Sequence, residues 1–350
     1  MSLDRRTFIT AASAASIALP AEASLEHSGT LTDVPGVRVG HFTSEHRPTG
    51  CTVVLFDPGA TGGVDVRGSA PGTRETDLLH PLNSVQTINA IVLAGGSAFG
   101  LDAASGVMRF LDERQIGFRM GRLVVPIVPA AIIFDLGVGD GRIRPDADAG
   151  YQACKAASSD KVPQGNVGAG AGATVGKFFG SKSAMKGGLG SASMRVPGTD
   201  LVVGALAAVN AVGDVLDHHT GAILAGARSA DGKTFRNTVA SMSRGELVKA
   251  QHGANSTIAV IATNARLTKT EVNKMAQMAH DGFARAINPV HTAFDGDTIF
   301  GAATALSKTE VNLAALGSIG AECIAIAVQN AVKTATGIPG YPAHRDLMRS

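Results

Sequence analysis

Residues 258–263, Ile258-Ala259-Val260-Ile261-Ala262-Thr263, form an almost unbroken apolar run rich in β-branched side chains, and Gly253-Ala254-Asn255-Ser256-Thr257 lead into it. Such a run reads as a strand buried in a core. The Asn255–Ser256 bond then stands at the mouth of that strand. A serine hydroxyl is a weak nucleophile until a base takes its proton, whereas a free α-amine, with a pKa of about 8, is partly neutral near pH 7. A chain cut between Asn255 and Ser256 would carry nucleophile and base on one residue. Gly253 and Ala254 leave the backbone freedom to strain during such a cut. The same pentapeptide also reads as an ordinary turn into a strand, and by itself leaves both readings open.

The remainder of the chain narrows the choice. At 350 residues, with 45% hydrophobic and 17% charged side chains, it can bury one large core. Thirteen Phe, two Tyr, no Trp and a net charge of +2 supply neither stacking platforms nor a basic stripe, so no nucleic-acid partner is expected. Cys51, Cys154 and Cys323 form no CxxC pair or metal-spaced cluster and read as small buried apolar residues, with one disulfide open to an exported protein. Arg5-Arg6, the weakly apolar run 9–19 and Ala21-Glu22-Ala23 have the layout of a twin-arginine export signal over 1–23. The run is too short to stay in a membrane, so a mature domain over 24–350, periplasmic or extracellular, is expected.

Strands are expected at 34–40, at 49–56 (closed by Asp57-Pro58-Gly59), at 64–68, 90–94 and 201–210, with irregular strands over 124–135. Helical spacing covers 101–114, 147–157, 268–287 and 309–334, with Thr268 and Glu271 forming a capping box. The polar stretch 226–254 reads as a mobile connector. Gly95-Gly96-Ser97-Ala98-Phe99 lacks the final glycine of a nucleophile elbow. A P-loop needs glycine at Ala171 and Ser or Thr at Phe178, so Gly165–Lys177 reads as close backbone packing around a fixed cation, Lys177. Asn210 ends an apolar strand, either as an oxyanion donor or as a turn residue. Asp295 and Asp297 flank a glycine and could orient an amine; the further ligands of a calcium loop are missing. His291 reads as a hydrogen-bonded structural residue.

Pro-Thr-Gly-Cys-Thr-Val-Val at 48–54, Leu-Ala-Gly-Gly-Ser-Ala-Phe-Gly-Leu at 93–101, Gly-Ala-Gly-Ala-Gly-Ala-Thr-Val-Gly-Lys at 168–177, Asn-Ser-Thr-Ile-Ala-Val-Ile-Ala-Thr-Asn-Ala at 255–265 and His-Thr-Ala-Phe-Asp-Gly-Asp-Thr-Ile-Phe at 291–300 occur in this order. Together they resemble the DmpA-type self-processing hydrolases: L-aminopeptidase/D-esterases, β-aminopeptidases and the nylon-oligomer endo-hydrolase. The resemblance covers nearly the whole mature chain. It implies an α/β fold, a four-layer α-β-β-α sandwich of N-terminal-nucleophile type, cut into an α fragment 24–255 and a β fragment 256–350. It implies Ser256 as nucleophile, Asn210 as oxyanion donor, Lys177 in support, and Asp295 and Asp297 holding the terminal amine and nucleophile. It further implies a homo-oligomer of αβ units acting on a small peptide or amide, with no metal or organic cofactor. The nylon-oligomer branch has threonine where this chain has Ser256, and tyrosine where it has Phe134. Two other readings are an acyltransferase resembling the ornithine acetyltransferases, which export argues against, and an uncut binding protein.

Overall fold

Every residue of the 256–263 run is buried, and its side chains alternate between two different cores. A strand can be apolar at every position only when both faces are covered. Residues 29–247, 249–250 and 253–347 are described by the computed structural model; the export signal expected over 1–23 lies outside them. Among these residues, nine strands join in one hydrogen-bonded sheet. They are β1 (Val37–Thr43), β2 (Gly50–Val66), β3 (Thr73–Arg74), β4 (Thr87–Ala94), β5 (Ala130–Ile132), β6 (Gly188–Arg195), β7 (Val202–Asn210), β8 (Ser256–Thr263) and β9 (Thr298–Ala303). The order is β6-β7-β8-β9-β2-β4-β5-β3, with β1 also on β2.

The long β2 joins two layers. Its first half pairs with β1 and its second half with β9, and its register against β4 shifts between Leu55 and Ala60. Val54, Phe56, Ile91 and Leu93 from one half face Leu206, Ile258, Val260 and Phe300 from the other in a single core. The opposite side of the first half packs Val53, Leu55, Ala90 and Val92 under α1 (Ala103–Asp112) and α2 (Ala147–Lys155). The opposite side of the second half packs Ala205, Ala207, Ala259 and Ile261 under α3 (Lys269–Ala286) and α4 (Leu313–Thr334). The four layers are therefore helix, sheet, sheet, helix. On α3, Val272, Met275, Ala276, Ala279 and Phe283 form the buried face, and Thr268 and Glu271 close the expected capping box. α4 has the length and apolarity of a membrane span, yet 72% of its most apolar window is buried here as a core helix.

Two expectations are corrected. Asp57-Pro58-Gly59 does not end a strand: β2 continues through it to Val66, because turn-forming residues also suit an irregularity in a ladder. Nor is 226–254 simply a connector. Its described part contains a short helix, Thr238–Ser243, and is tied to buried Asp214, which accepts from the backbone N–H of Ala227 (2.8 Å) and of Thr238 (2.7 Å). All three cysteines are buried and free.

Glycines of the 165–177 stretch do sit at close approaches: a Cβ on Gly170 would strike the backbone of Leu189, and one on Gly176 (φ +71°) that of Gly226. Beneath them lies Lys186, fully buried, its Nζ donating to the carbonyls of Gly170 (2.8 Å), Ala173 (3.0 Å) and Gly187 (3.2 Å). Burial lowers its pKa from 10.5 to about 7, as it does for Lys177. In the unfolded chain both lysines hold their protons to near their ordinary value, so above about pH 7 the unfolded state binds more protons and stability rises with pH. The urea midpoint is expected to increase between about pH 7 and 8.5, with each lysine contributing on the order of 1 kcal/mol per pH unit. Lys186→Met should flatten part of that rise. A wild-type midpoint that stays level or falls over the interval would refute the assignment.

Candidate active site

Three strand ends meet at one edge of the sheet. β7 and β8 are antiparallel, which places Asn210, the last residue of β7, opposite Ser256, the first of β8. β8 and β9 are parallel, with Ile258 opposite Thr298, so the Asp295-Gly296-Asp297 approach to β9 runs beside Ser256. Asn210, Ser256, Asp295 and Asp297 are all buried. Lys177 comes in from the glycine-rich segment, its backbone N–H bonded to the Val212 carbonyl just beyond β7. The structure thus gathers all five expected residues, together with Asn255.

Ser256 Oγ lies against Gly296, where a Cβ would come within 2.7 Å of it. The Gly296 N–H donates to the Asn255 carbonyl oxygen at 2.8 Å. The amide carbonyl that precedes Ser256 therefore has an oriented backbone donor on its oxygen, and the residue that supplies the donor also borders the serine hydroxyl, a pairing that can serve addition to a carbonyl. Lys177 Nζ donates to Asn210 Oδ1 (2.8 Å), to the Asn210 carbonyl (3.1 Å) and to the Ala254 carbonyl (3.1 Å). Asn210 Nδ2 reaches the Ala254 carbonyl at 3.4 Å and the Phe134 carbonyl at 3.3 Å. In the intact chain Asn210 and Lys177 thus hold the carbonyl one residue before that of Asn255. Burial brings Lys177 to about 7 against the opposing pull of Asp295, Asp135 and Asp297, so a neutral amine is accessible near neutral pH.

The two aspartates differ in task. Asp297 Oδ1 accepts the Thr257 N–H at 2.7 Å and so fixes the first peptide of β8. Asp295 accepts from the backbone of Val212 (3.4 Å) and Thr292 (3.0 Å), and burial with the neighbouring Asp297 raises it to about 6. Behind Asp297 runs a histidine pair. His291 Nδ1 lies 2.8 Å from Asp297 Oδ2, His291 Nε2 lies 3.2 Å from His280 Nδ1, and His280 Nε2 lies 3.0 Å from the Asp65 carbonyl. A carbonyl only accepts, so His280 donates through Nε2 and, when neutral, accepts at Nδ1 from His291. Burial lowers His280 to about 4 and keeps it neutral at pH 7. Asp297 Oδ2 also accepts the His291 backbone N–H at 3.2 Å, so the carboxylate that orients Thr257 is held through both of its oxygens.

Sequence reasoning missed Gly296 as a donor, because any glycine offers the same N–H and only register aims it. It also missed His280, one of many polar residues on α3, and Asp135. Buried Asp135 pairs with Arg47 (2.8 Å) and accepts from Thr49 Oγ1 (2.6 Å) and the Gly96 N–H (2.9 Å). It thereby pins the segment carrying Phe134, which lines a cavity of about 300 Å³ with Thr174, Lys177, Lys249, Asn255 and Tyr341.

Comparison with known proteins agrees with this geometry. A profile described as peptidase family S58 matches residues 29–345. The chain is 44% identical over 344 residues to an uncharacterized aminopeptidase of Mycobacterium tuberculosis strain H37Rv, covering 91% of this chain and 97% of that one. It is 34% identical over 316 residues to the 6-aminohexanoate-oligomer endohydrolase of Kocuria sp., covering 86% and 85%. Its fold is similar to that of the L-aminopeptidase D-Ala-esterase/amidase of Ochrobactrum anthropi (TM-score 0.69, 20% identity, 95% and 96% covered), described as a variant of the Ntn hydrolase fold. A Burkholderia sp. β-aminopeptidase is also similar (TM-score 0.67, 21% identity, 93% and 95% covered). The helix-sheet-sheet-helix sandwich is thus shared with these structures, and the chain is a hydrolase that belongs to peptidase family S58.

Proposed function

We propose that the chain cuts itself between Asn255 and Ser256 and that Ser256, as a new N-terminus, then hydrolyses amide bonds of small peptides or related amides. The observation that carries this is the Asn255 carbonyl, held by the Gly296 N–H beside the Ser256 hydroxyl. In the cut, Ser256 Oγ forms a bond to the Asn255 carbonyl carbon and the C–N bond breaks. The Ser256 nitrogen takes a proton and becomes a free α-amine, and water hydrolyses the resulting ester to leave the Asn255 carboxylate. In turnover the same Oγ attacks a substrate carbonyl, the α-amine takes its proton and passes it to the departing amine, and water releases the acyl group. Before the cut no α-amine exists at Ser256; Lys177 Nζ, which donates to both oxygens of Asn210 and to the Ala254 carbonyl, holds the residue before the scissile bond in place for that first step. The aminopeptidase and endohydrolase names of the relatives support the reaction class.

The test is the mass of the denatured protein with the N-terminal sequence of its smaller fragment, which should begin at Ser256. Lys177→Met, which removes a side-chain donor from the Ala254 carbonyl, should slow the cut of a precursor renatured from urea by about a hundredfold. One uncut wild-type chain between about pH 6 and pH 8 would refute self-cleavage.

A further inference from the structure

Two adjacent histidines meet a carboxylate from another element outside the Ser256 site. Asp214–Leu216 and Ile223–Ala225 pair as an antiparallel hairpin that packs on α4, and His218 and His219 stand in the loop joining them. His218 Nε2 lies 2.6 Å from Oε1 of Glu322, on α4, and His219 Nε2 lies 3.9 Å from the same oxygen. The three ligand atoms these residues offer all fall within 4.8 Å of one another. We propose that His218, His219 and Glu322 form a binding site for a divalent ion of zinc type, with water completing the coordination. Its role is structural, because none of the three residues belongs to the Ser256 site.

Two imidazole nitrogens and one carboxylate oxygen are a donor set that suits zinc, with a fourth position left to water. The loop that presents the histidines is held in shape by Asp217. Its Oδ1 accepts the backbone N–H groups of His219 and Thr220, both at 3.1 Å, and its own N–H donates to the Ala222 carbonyl at 2.8 Å. Its Oδ2 lies 3.6 Å from Lys333 Nζ, a second tie to α4. Zinc holds its ligands about 2 Å away, so the His218–Glu322 contact must open around the ion and the His219 ring must move inward. That ring is 68% exposed and gives up little packing in doing so. An imidazole that ligates through Nε2 keeps its proton on Nδ1. At His218 this atom meets the side-chain amide of buried Gln329, which offers an acceptor when its oxygen faces the ring. Arg285 Nη1 lies 3.3 Å from Glu322 Oε2, and this competing cation limits the affinity. The two histidines precede the Asn255–Ser256 bond and Glu322 follows it, so after a cut at that bond the metal bridges the two fragments.

The experiment strips the full purified protein with a chelator and titrates it with zinc alone near neutral pH, by equilibrium dialysis and metal analysis. The wild type should bind zinc, and saturating metal should raise its urea midpoint. His219→Ala and Glu322→Gln should each weaken binding by at least about tenfold and remove the zinc-dependent rise. His46→Ala, which deletes an exposed ring outside the cluster, should bind as the wild type does. Because His219 is exposed and Glu322→Gln keeps the shape of the side chain, circular dichroism should show both variants folded. Absence of bound zinc, or zinc held equally by wild type and both cluster variants, would overturn the site and leave His218, Glu322 and Arg285 as an ion-paired contact. Neither outcome touches the hydrolase reading, which rests on Ser256.

Discussion

Ser256→Ala is expected to remain one chain through purification and prolonged incubation, and to hydrolyse amides at least about ten-thousand-fold more slowly than the cut wild type. Two losses follow from one replacement on the proposed mechanism. The hydroxyl that would form the ester is gone, and without the ester the α-amine that would serve as base is never released. The effect should not come from unfolding: position 256 is buried at the head of β8, and exchanging a buried hydroxyl for hydrogen typically costs about 1 kcal/mol. Intact mass, anilide hydrolysis and circular dichroism on one preparation check the three statements. A variant that folds and still cuts at this bond would remove Ser256 as nucleophile.

The core of this fold was legible where one residue pattern has one physical solution. The 256–263 run had to be a strand covered on both faces, and α3 showed its buried face and its capping box in the sequence. The five site residues came from motif resemblance joined to residue chemistry, and the strand ends do bring them together. The bend of the sheet was not legible. Asp57-Pro58-Gly59 has the same local chemistry in a terminating turn as in a ladder irregularity, and only the pairing of Thr61–Val66 with β9 decides between them. Nor was the anchoring of 226–254, because it depends on Asp214, which is remote in sequence from Thr238.

The gaps at the site share one cause. Gly296, His280 and Asp135 act through a backbone N–H, a tautomer set by the Asp65 carbonyl and a buried ion pair, each defined by a partner far along the chain. Residue type can nominate a nucleophile or a carboxylate. It cannot say which oxygen an N–H will face, and so Asn210 was expected at the reacting carbonyl, whereas in the intact chain Gly296 donates there.

Gly296→Ala is the substitution that tests this arrangement most directly. A methyl group here would come within 2.7 Å of Ser256 Oγ and would collide with the Ala70 carbonyl oxygen, so either the approach to β9 or the Ser256 side chain must move. Overpacking of this kind costs about 1–3 kcal/mol. The larger effect is on chemistry, because the same shift moves the N–H away from the Asn255 carbonyl, and a lost or misplaced oxyanion donor lowers rate by about a hundredfold or more. Self-cleavage of Gly296→Ala should slow by at least that factor under conditions where its urea profile shows a folded protein. Gly301→Ala on β9 is the matched control. Its new methyl would meet Val272 at 2.8 Å, on the side of β9 that packs under α3, so it should lose comparable stability while cutting at close to the wild-type rate. If both variants cut at wild-type speed, the Gly296 amide is a packing contact and the donor for the reacting carbonyl lies elsewhere. If both slow equally, the effect belongs to strand packing. Slowing confined to Gly296→Ala assigns the donor to this backbone N–H.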